Sequence, residues 1–174
     1  WCGDCNLVQL NQTVDPGELF LNYIWVTGTS KVANDFAEKF YAELVARAEP
    51  VQNVPRHVVG AGARKAGYVL EVASNDGTFL RPFQRAGYDV LGVDPAKNIA
   101  DMAEMAGVPT QCVFFGVPAA KEIVREKGLA NMIFARNVLP HVANTHDFVD
   151  GLRASLADDG VLAIETHYAK NILE

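Results

Sequence analysis

The stretch VLEVASNDGTFL (Val69–Leu80) decides how this chain is read. Its first half is a β-branched apolar run with one acid, Glu71. Its second half is a small polar loop, SNDG, that leads into an apolar segment of helical spacing. A strand that turns sharply into a helix is the usual cradle for the phosphates of a nucleotide, because the helix amino terminus offers bare amides and a positive dipole end. Here the loop carries Asp76 and the strand carries Glu71. Two carboxylates are the wrong charge for a pyrophosphate.

Outward from that loop the pattern repeats. Strand-like runs occupy 68–73, 88–93, 110–115, 131–136 and 160–166, with helical spacing over 77–86, 97–106, 117–127 and 145–157. Gly87, Gly107, Gly128 and Gly160 stand where each helix hands over to the next strand, as helix-terminating glycines do. Nearly continuous apolar strands alternating with helices predict an α/β fold, a doubly wound, mostly parallel sheet of Rossmann-like type covered on both faces. Right-handed crossovers then put a ligand crevice at the carboxyl ends of the strands.

Ahead of this region the chain is different. Residues 13–31 are aromatic-rich and broken by Pro16, Gly17 and Gly28, which predicts a connector with a short helical turn after Pro16. Val32, Phe36, Phe40, Leu44 and Ala48 recur every four residues and predict the buried face of a lead-in helix over 32–49, ended by Pro50 and Pro55. The glycines of 60–67 make a flexible joint before the core. The chain begins within CGDC without a Met and stops in mid-pattern at Glu174, so it is read as part of a longer protein.

With 174 residues, 49% hydrophobic and 21% charged, the chain is long enough to bury a core. A net charge of −6 with scattered basic residues argues against nucleic acid as a partner. No apolar run reaches the ~20 residues needed to span a bilayer. No signal peptide stands at the start, and a cytoplasmic location is expected.

The missing G-x-G-x-x-G argues against a dinucleotide, and Asp76 would repel its phosphates. S-adenosylmethionine presents an ammonium and a sulfonium against one carboxylate, so acids attract it. Asp94, 18 residues after Asp76 in GVDP (92–95), ends the second strand, where a carboxylate can accept from both ribose hydroxyls. ARNVLPHV (135–142) puts Asn137 and His141 beyond the fourth strand.

Seven stretches in order, CGDC, NYIWVTGTS, EVASNDG, GVDPAKNIA, GVPTQCVFFG, NVLPHV and IETHY, run across essentially the whole chain. Together they resemble the class I S-adenosylmethionine-dependent methyltransferases. Within these they are similar to the sugar C-methyltransferases with an N-terminal zinc-binding segment, which act on nucleotide-linked deoxy-keto-sugars. The resemblance implies a partial zinc-binding segment over 1–12, a connector and lead-in helix over 13–67, and a cofactor domain over 68–174. It implies that Glu71, Ser74, Asn75 and Gly77 wrap the methionine portion of S-adenosylmethionine and that Asp94, backed by Pro95, holds the ribose. Phe114 and Phe115 would line the adenine pocket, Asn137 would reach the cofactor, and Tyr23 with TGTS (27–30) would form a lid. It further implies a carbanion alpha to a sugar keto group attacking the sulfonium methyl, with a base beyond Glu174, so that this piece alone turns nothing over.

Several residues carry a second reading. Glu71 as a charge in an apolar strand needs a partner. Asp94 also suits a turn before Pro95, and Asn137 serves equally well as a helix cap. Adjacent strand residues face opposite ways, so one of Phe114 and Phe115 meets adenine and the other joins the core. Cys112 reads as a small buried hydrophobe. Cys2 and Cys5 form one CxxC, half of the four ligands a structural zinc takes; the resemblance makes it the second half of a zinc knuckle. His141 and His167 follow strand ends on the ligand side and are the catalytic candidates, as general bases, although lining without proton transfer is the simpler role. His57 and His146 are read as surface residues. Ala73 stands where the family has glycine, which is acceptable only if its φ stays negative. His167 stands unexpectedly in the final strand motif.

Overall fold

The computed structural model describes residues 2–4, 12, 14–48 and 68–167. Among these, five strands form one parallel sheet in the order β3-β2-β1-β4-β5: β1 (Tyr68–Val72), β2 (Asp89–Val93), β3 (Thr110–Gln111), β4 (Ala130–Arg136) and β5 (Leu156–Glu165). Helices α1 (Pro16–Phe20) and α2 (Lys31–Ala48) precede the sheet. Helices α3 (Arg81–Arg85), α4 (Lys97–Met105), α5 (Val117–Lys127) and α6 (Thr145–Ser155) connect its strands. The strand order reverses between β1 and β4, which opens the crevice expected at their carboxyl ends.

Two cores follow from strand alternation. Val69, Val90, Met132 and Phe134 point to one face, where Phe83 and Leu80 and the α2 residues Leu44 and Ala48 cover them. Leu70, Val72, Leu91, Val93, Ile133 and Ala135 point to the other, against Ile123 of α5 and Phe148 and Leu152 of α6. Burial of each such side chain contributes ~1.5–3 kcal/mol, enough to explain why strands this apolar pair in the interior. The ring of Phe83 stacks on Phe134 with centroids 5.6 Å apart.

Five sequence expectations need correction. In α2, Val32 is 78% exposed and Phe36 41%, while Ala37, Leu44 and Ala48 are buried. A strict four-residue repeat advances about 40° beyond a full turn each time, so five repeats wind well around the helix and cannot share one face. Second, β3 ends at Gln111, and 112–116 leave the sheet. Cys112 is therefore exposed, with Sγ 3.5 Å from the Pro95 carbonyl oxygen. Third, Gly160 lies inside β5, which begins at Leu156 with a register shift against Ala130 and Met132, so it terminates no helix. Gly87, Gly107 and Gly128 do take the positive φ of helix ends. The helix expected over 77–86 is only α3, preceded by turns. Pro50, Pro55, His57 and the glycines of 60–67 lie outside the described residues.

The fifth correction concerns the turn after β1. Ala73 has φ 59° and Asn75 φ 50°, the left-handed region, whereas the sequence reading required a negative φ at Ala73. Gly77, at φ +74°, suits that region, and a Cβ there would stand 2.9 Å from Val108. Ala73 is thus strained where glycine would be relaxed. Replacing Ala73 by glycine is expected to remove about 1 kcal/mol of backbone strain, partly offset by the greater freedom of the unfolded glycine chain. A small rise in the urea midpoint at unchanged slope is the expected result, and a fall would show that the alanine methyl contributes packing.

Candidate functional site

The loop that ends β1 is built by strand β2. The amides of Ala73 and Ser74 both donate to the Val93 carbonyl, at 2.8 and 3.1 Å. Asp94 then accepts from the Asn75 amide through Oδ2 and from the Ala96 amide through Oδ1, both at 2.9 Å. Asp94 is therefore a turn residue and a cavity residue at once: it is 6% exposed and still lines the crevice. Burial raises its carboxyl above the usual range, opposed by the amides of Ala96 and Asn75. A carboxylate has about four lone-pair positions, so two amides leave acceptor capacity for a ligand diol.

A strap over 23–28 crosses this loop. Asn75 accepts from the Thr27 amide at 2.8 Å and donates from Nδ2 to the Trp25 carbonyl at 2.9 Å. Tyr23 and Asn98 exchange two hydrogen bonds, at 3.1 and 2.7 Å, which fastens the strap to the start of α4. Asp76 takes the Gly28 amide at 3.2 Å, the Thr78 hydroxyl at 2.7 Å and the Arg81 guanidinium at 3.3 Å. All of its partners lie away from the crevice, and Asp76 does not line it. The expectation that Asp76 faces a ligand is thus overturned: its charge anchors the strap and the turn into α3. Gly77 also stays out of the crevice, packed on Val108.

The crevice is a cavity of about 750 Å³. Glu71 stands in it, 2% exposed, with Oε2 buried and meeting no donor among the described residues. Burial holds the Glu71 carboxyl well above the usual carboxylate range; Arg136 pulls it down, and Asp94, Asp76 and Glu165 push it up. Arg136, which the sequence reading passed over, also lines the cavity. Its guanidinium donates twice to Glu165, at 3.0 and 2.9 Å, and lies 3.4 Å from the Phe79 ring centroid. A lone arginine closing the apolar run NMIFAR was the available signal.

Around the rim stand Ala73, Ser74, Asn75, Pro95, Phe114, Phe115, Asn137, His141 and His167. Ser74 is buried, and its Oγ meets no partner among the described residues. Phe115 packs edge-on against Phe148, with centroids 5.7 Å apart, while Phe114 is 43% exposed. Both line the cavity, so strand alternation does not divide them. Asn137 caps no helix: it sits at φ 52°, with its amide on the Glu165 carbonyl at 2.8 Å, and Asn144 caps α6 instead. His141 lies against Phe20, and His167 is exposed just beyond β5. His146 is exposed on α6, as expected. Cys2 is half-buried and Cys5 lies outside the described residues; among the described residues no group of three or more His, Cys, Asp or Glu could hold a metal ion.

Residues 34–172 match the family described as "Methyltransferase domain". The chain is 30% identical over 173 residues to C-methyltransferase NovU of Streptomyces niveus, covering 99% of this chain and 38% of that protein. It is 32% identical over 100 residues to a ubiquinone biosynthesis O-methyltransferase of Nitrobacter winogradskyi, covering 56% of this chain and 38% of that protein. The chain thus spans well under half the length of either relative. The crystal structure of the plantazolicin methyltransferase BpumL, in complex with a pentazolic desmethylPZN analog and SAH, superposes with a TM-score of 0.53 at 13% identity, covering 74% of this chain and 44% of that one. That likeness concerns the fold.

The strap geometry generates a prediction independent of any ligand. Asn75→Ala removes both clamps, and each lost bond costs about 1 kcal/mol. Faster amide exchange confined to residues 23–28, with a shifted Trp25 emission, is expected; unchanged exchange there would mean the clamp does not hold the strap.

Proposed function

The chain belongs to the methyltransferase domain family, and on that premise we propose that it binds S-adenosylmethionine in the β1–β4 crevice and serves in C-methylation of a nucleotide-linked deoxy-keto-sugar. One observation carries the cofactor reading: Glu71, with an unpartnered buried oxygen, and Asp94, with spare acceptor capacity, line one cavity. A buried polar atom without a partner costs roughly 1–3 kcal/mol, and an ammonium group of a ligand would satisfy it. Asp94 would take the ribose hydroxyls, with Pro95 behind it. Ser74 and Asn75 would border the methionine portion, Phe114 and Phe115 the adenine, and Asn137 the opposite wall. Ala73 lines the same turn, whereas Gly77 serves by shaping it.

When bound, the cofactor supplies an electrophilic methyl group on sulfonium. The residues of this chain would hold it in place and screen it from water, and placing reactants in line provides much of a transferase's advantage. His141 and His167 at the rim are the candidates for accepting a proton. The C-methylation reading is supported by the similarity to a C-methyltransferase along nearly the whole chain. A second reading, methylation of another small-molecule acceptor such as an oxygen, is favoured by the similarity to an O-methyltransferase over 100 residues. Cys2 and Cys5 would furnish two ligands to a structural zinc, which metal analysis of the purified chain checks. No helix among the described residues is long and apolar enough to cross a membrane.

Calorimetry tests the cofactor. Binding of S-adenosylmethionine and its demethylated product is expected, with no response to NAD. Asp94→Asn is expected to weaken it about ten- to hundredfold, the worth of a hydrogen bond to a charged group. Binding of NAD in place of S-adenosylmethionine would overturn the proposal.

A further inference from the structure

Three charged side chains close the carboxyl ends of neighbouring strands on one face of the sheet. Glu71 on β1 is paired with Phe134 of β4, Arg136 follows two residues later, and Arg136 is paired with Glu165 of β5. Alternation places all three on the same side. They form a row of acid, base and acid with the base in the middle.

Arg136 is held there from two directions. Glu165 grips its edge through Nε and Nη2, and Phe79 lies against its face, with Phe36 and Phe40 at 5.3 and 5.5 Å from Cζ. Its side chain is 13% exposed. A guanidinium fixed at its edge and over an aromatic face keeps its place, because it is planar and weakly hydrated. Glu71 lacks such support: among the described residues no side chain donates to its buried Oε2.

We infer that Arg136 is a positioning residue which acts on the ligand through Glu71, favouring the charged form of that carboxylate, which receives a cationic group. The inference rests on the cofactor reading above. The charges facing Glu71 are Arg136 on β4, Glu165 on β5, Asp94 at the end of β2 and Asp76 in the loop after β1, the last paired with Arg81 of α3. Arg136 favours the anion, and the three acids oppose it. Burial opposes it most. The sign of each substitution follows. Without Arg136 the carboxyl holds its proton to higher pH. Without the charge of Glu165 it loses its proton at lower pH, since one repulsion is removed.

The experiment is calorimetric titration of the full chain with S-adenosylmethionine from pH 5.5 to 9.5, on the parent protein, Arg136→Met, Arg136→Lys, Glu165→Gln and Glu71→Gln. In the parent, affinity rises with pH as Glu71 ionises and falls again where the ligand's α-ammonium loses its proton, at about pH 8, so the variants are compared on the rising limb. In Arg136→Met this rise is expected to move up by about one pH unit or more, the usual effect of losing a neighbouring opposite charge. Arg136→Lys keeps the charge and restores most of the shift. In Glu165→Gln the rise moves down, and in Glu71→Gln it disappears. A carboxyl ¹³C titration of the unliganded protein follows the same group directly and serves where a variant binds too weakly to measure. Damage to packing would weaken Arg136→Met and Glu165→Gln alike at every pH; displacement in opposite directions is the signature of charge. A rise that stays in place in Arg136→Met, or moves the same way in both, overturns the inference. Absence of binding in the parent protein refutes the cofactor reading instead, and the ¹³C titration still judges the role of Arg136.

Discussion

Strand β2 ends in a carbonyl and a carboxylate that together receive the amides of Ala73, Ser74 and Asn75. Three successive amides bound to one neighbouring strand cannot continue along the sheet. The chain must turn, and it does so through two left-handed residues, Ala73 and Asn75. That turn borders the crevice, which Glu71 and Asp94 line together with Ala73, Ser74 and Asn75. Non-glycine residues tolerate this conformation at a cost, so the hydrogen bonds from β2 must outweigh the strain.

The charges of the site divide by depth. Asp94 shares its carboxylate between fold and cavity, and Asp76 gives its own to the strap, to Thr78 and to Arg81 of α3. Glu71 lies deepest and has least support from hydrogen bonds. An isolated buried carboxylate is expensive to ionise, and the nearby guanidinium on the Phe79 face is the local counterweight. The crevice is therefore not simply acidic. Along its edge one arginine stands between two glutamates, of which Glu71 lines the cavity.

The strap adds a second consequence of the same turn. Asn75, left-handed and projecting from the loop, binds both sides of the segment 25–27. Whatever enters the cavity thus meets a wall from the amino-terminal region as well as from the sheet. Trp25, 61% exposed, and Tyr23 stand on that wall and border the cavity.

Much of this was legible in the order of residues. Apolar runs separated by helical spacing predict a parallel doubly wound sheet, because burial on both faces demands such runs. Glu71 and Asp94 stood out as charges at strand ends, and they do line one cavity. What the tertiary structure decided was direction. Asp76 points to the strap because Gly28, Thr78 and Arg81 offer it donors there. Cys112 and Phe114 are exposed because β3 stops after two residues, which no local pattern announces. Arg136 belongs with Glu71 only because β4 lies beside β1, although the two residues stand 65 positions apart in the chain. Periodicity fixes which side chains leave the backbone on one side. Only the neighbouring strand determines what they meet there.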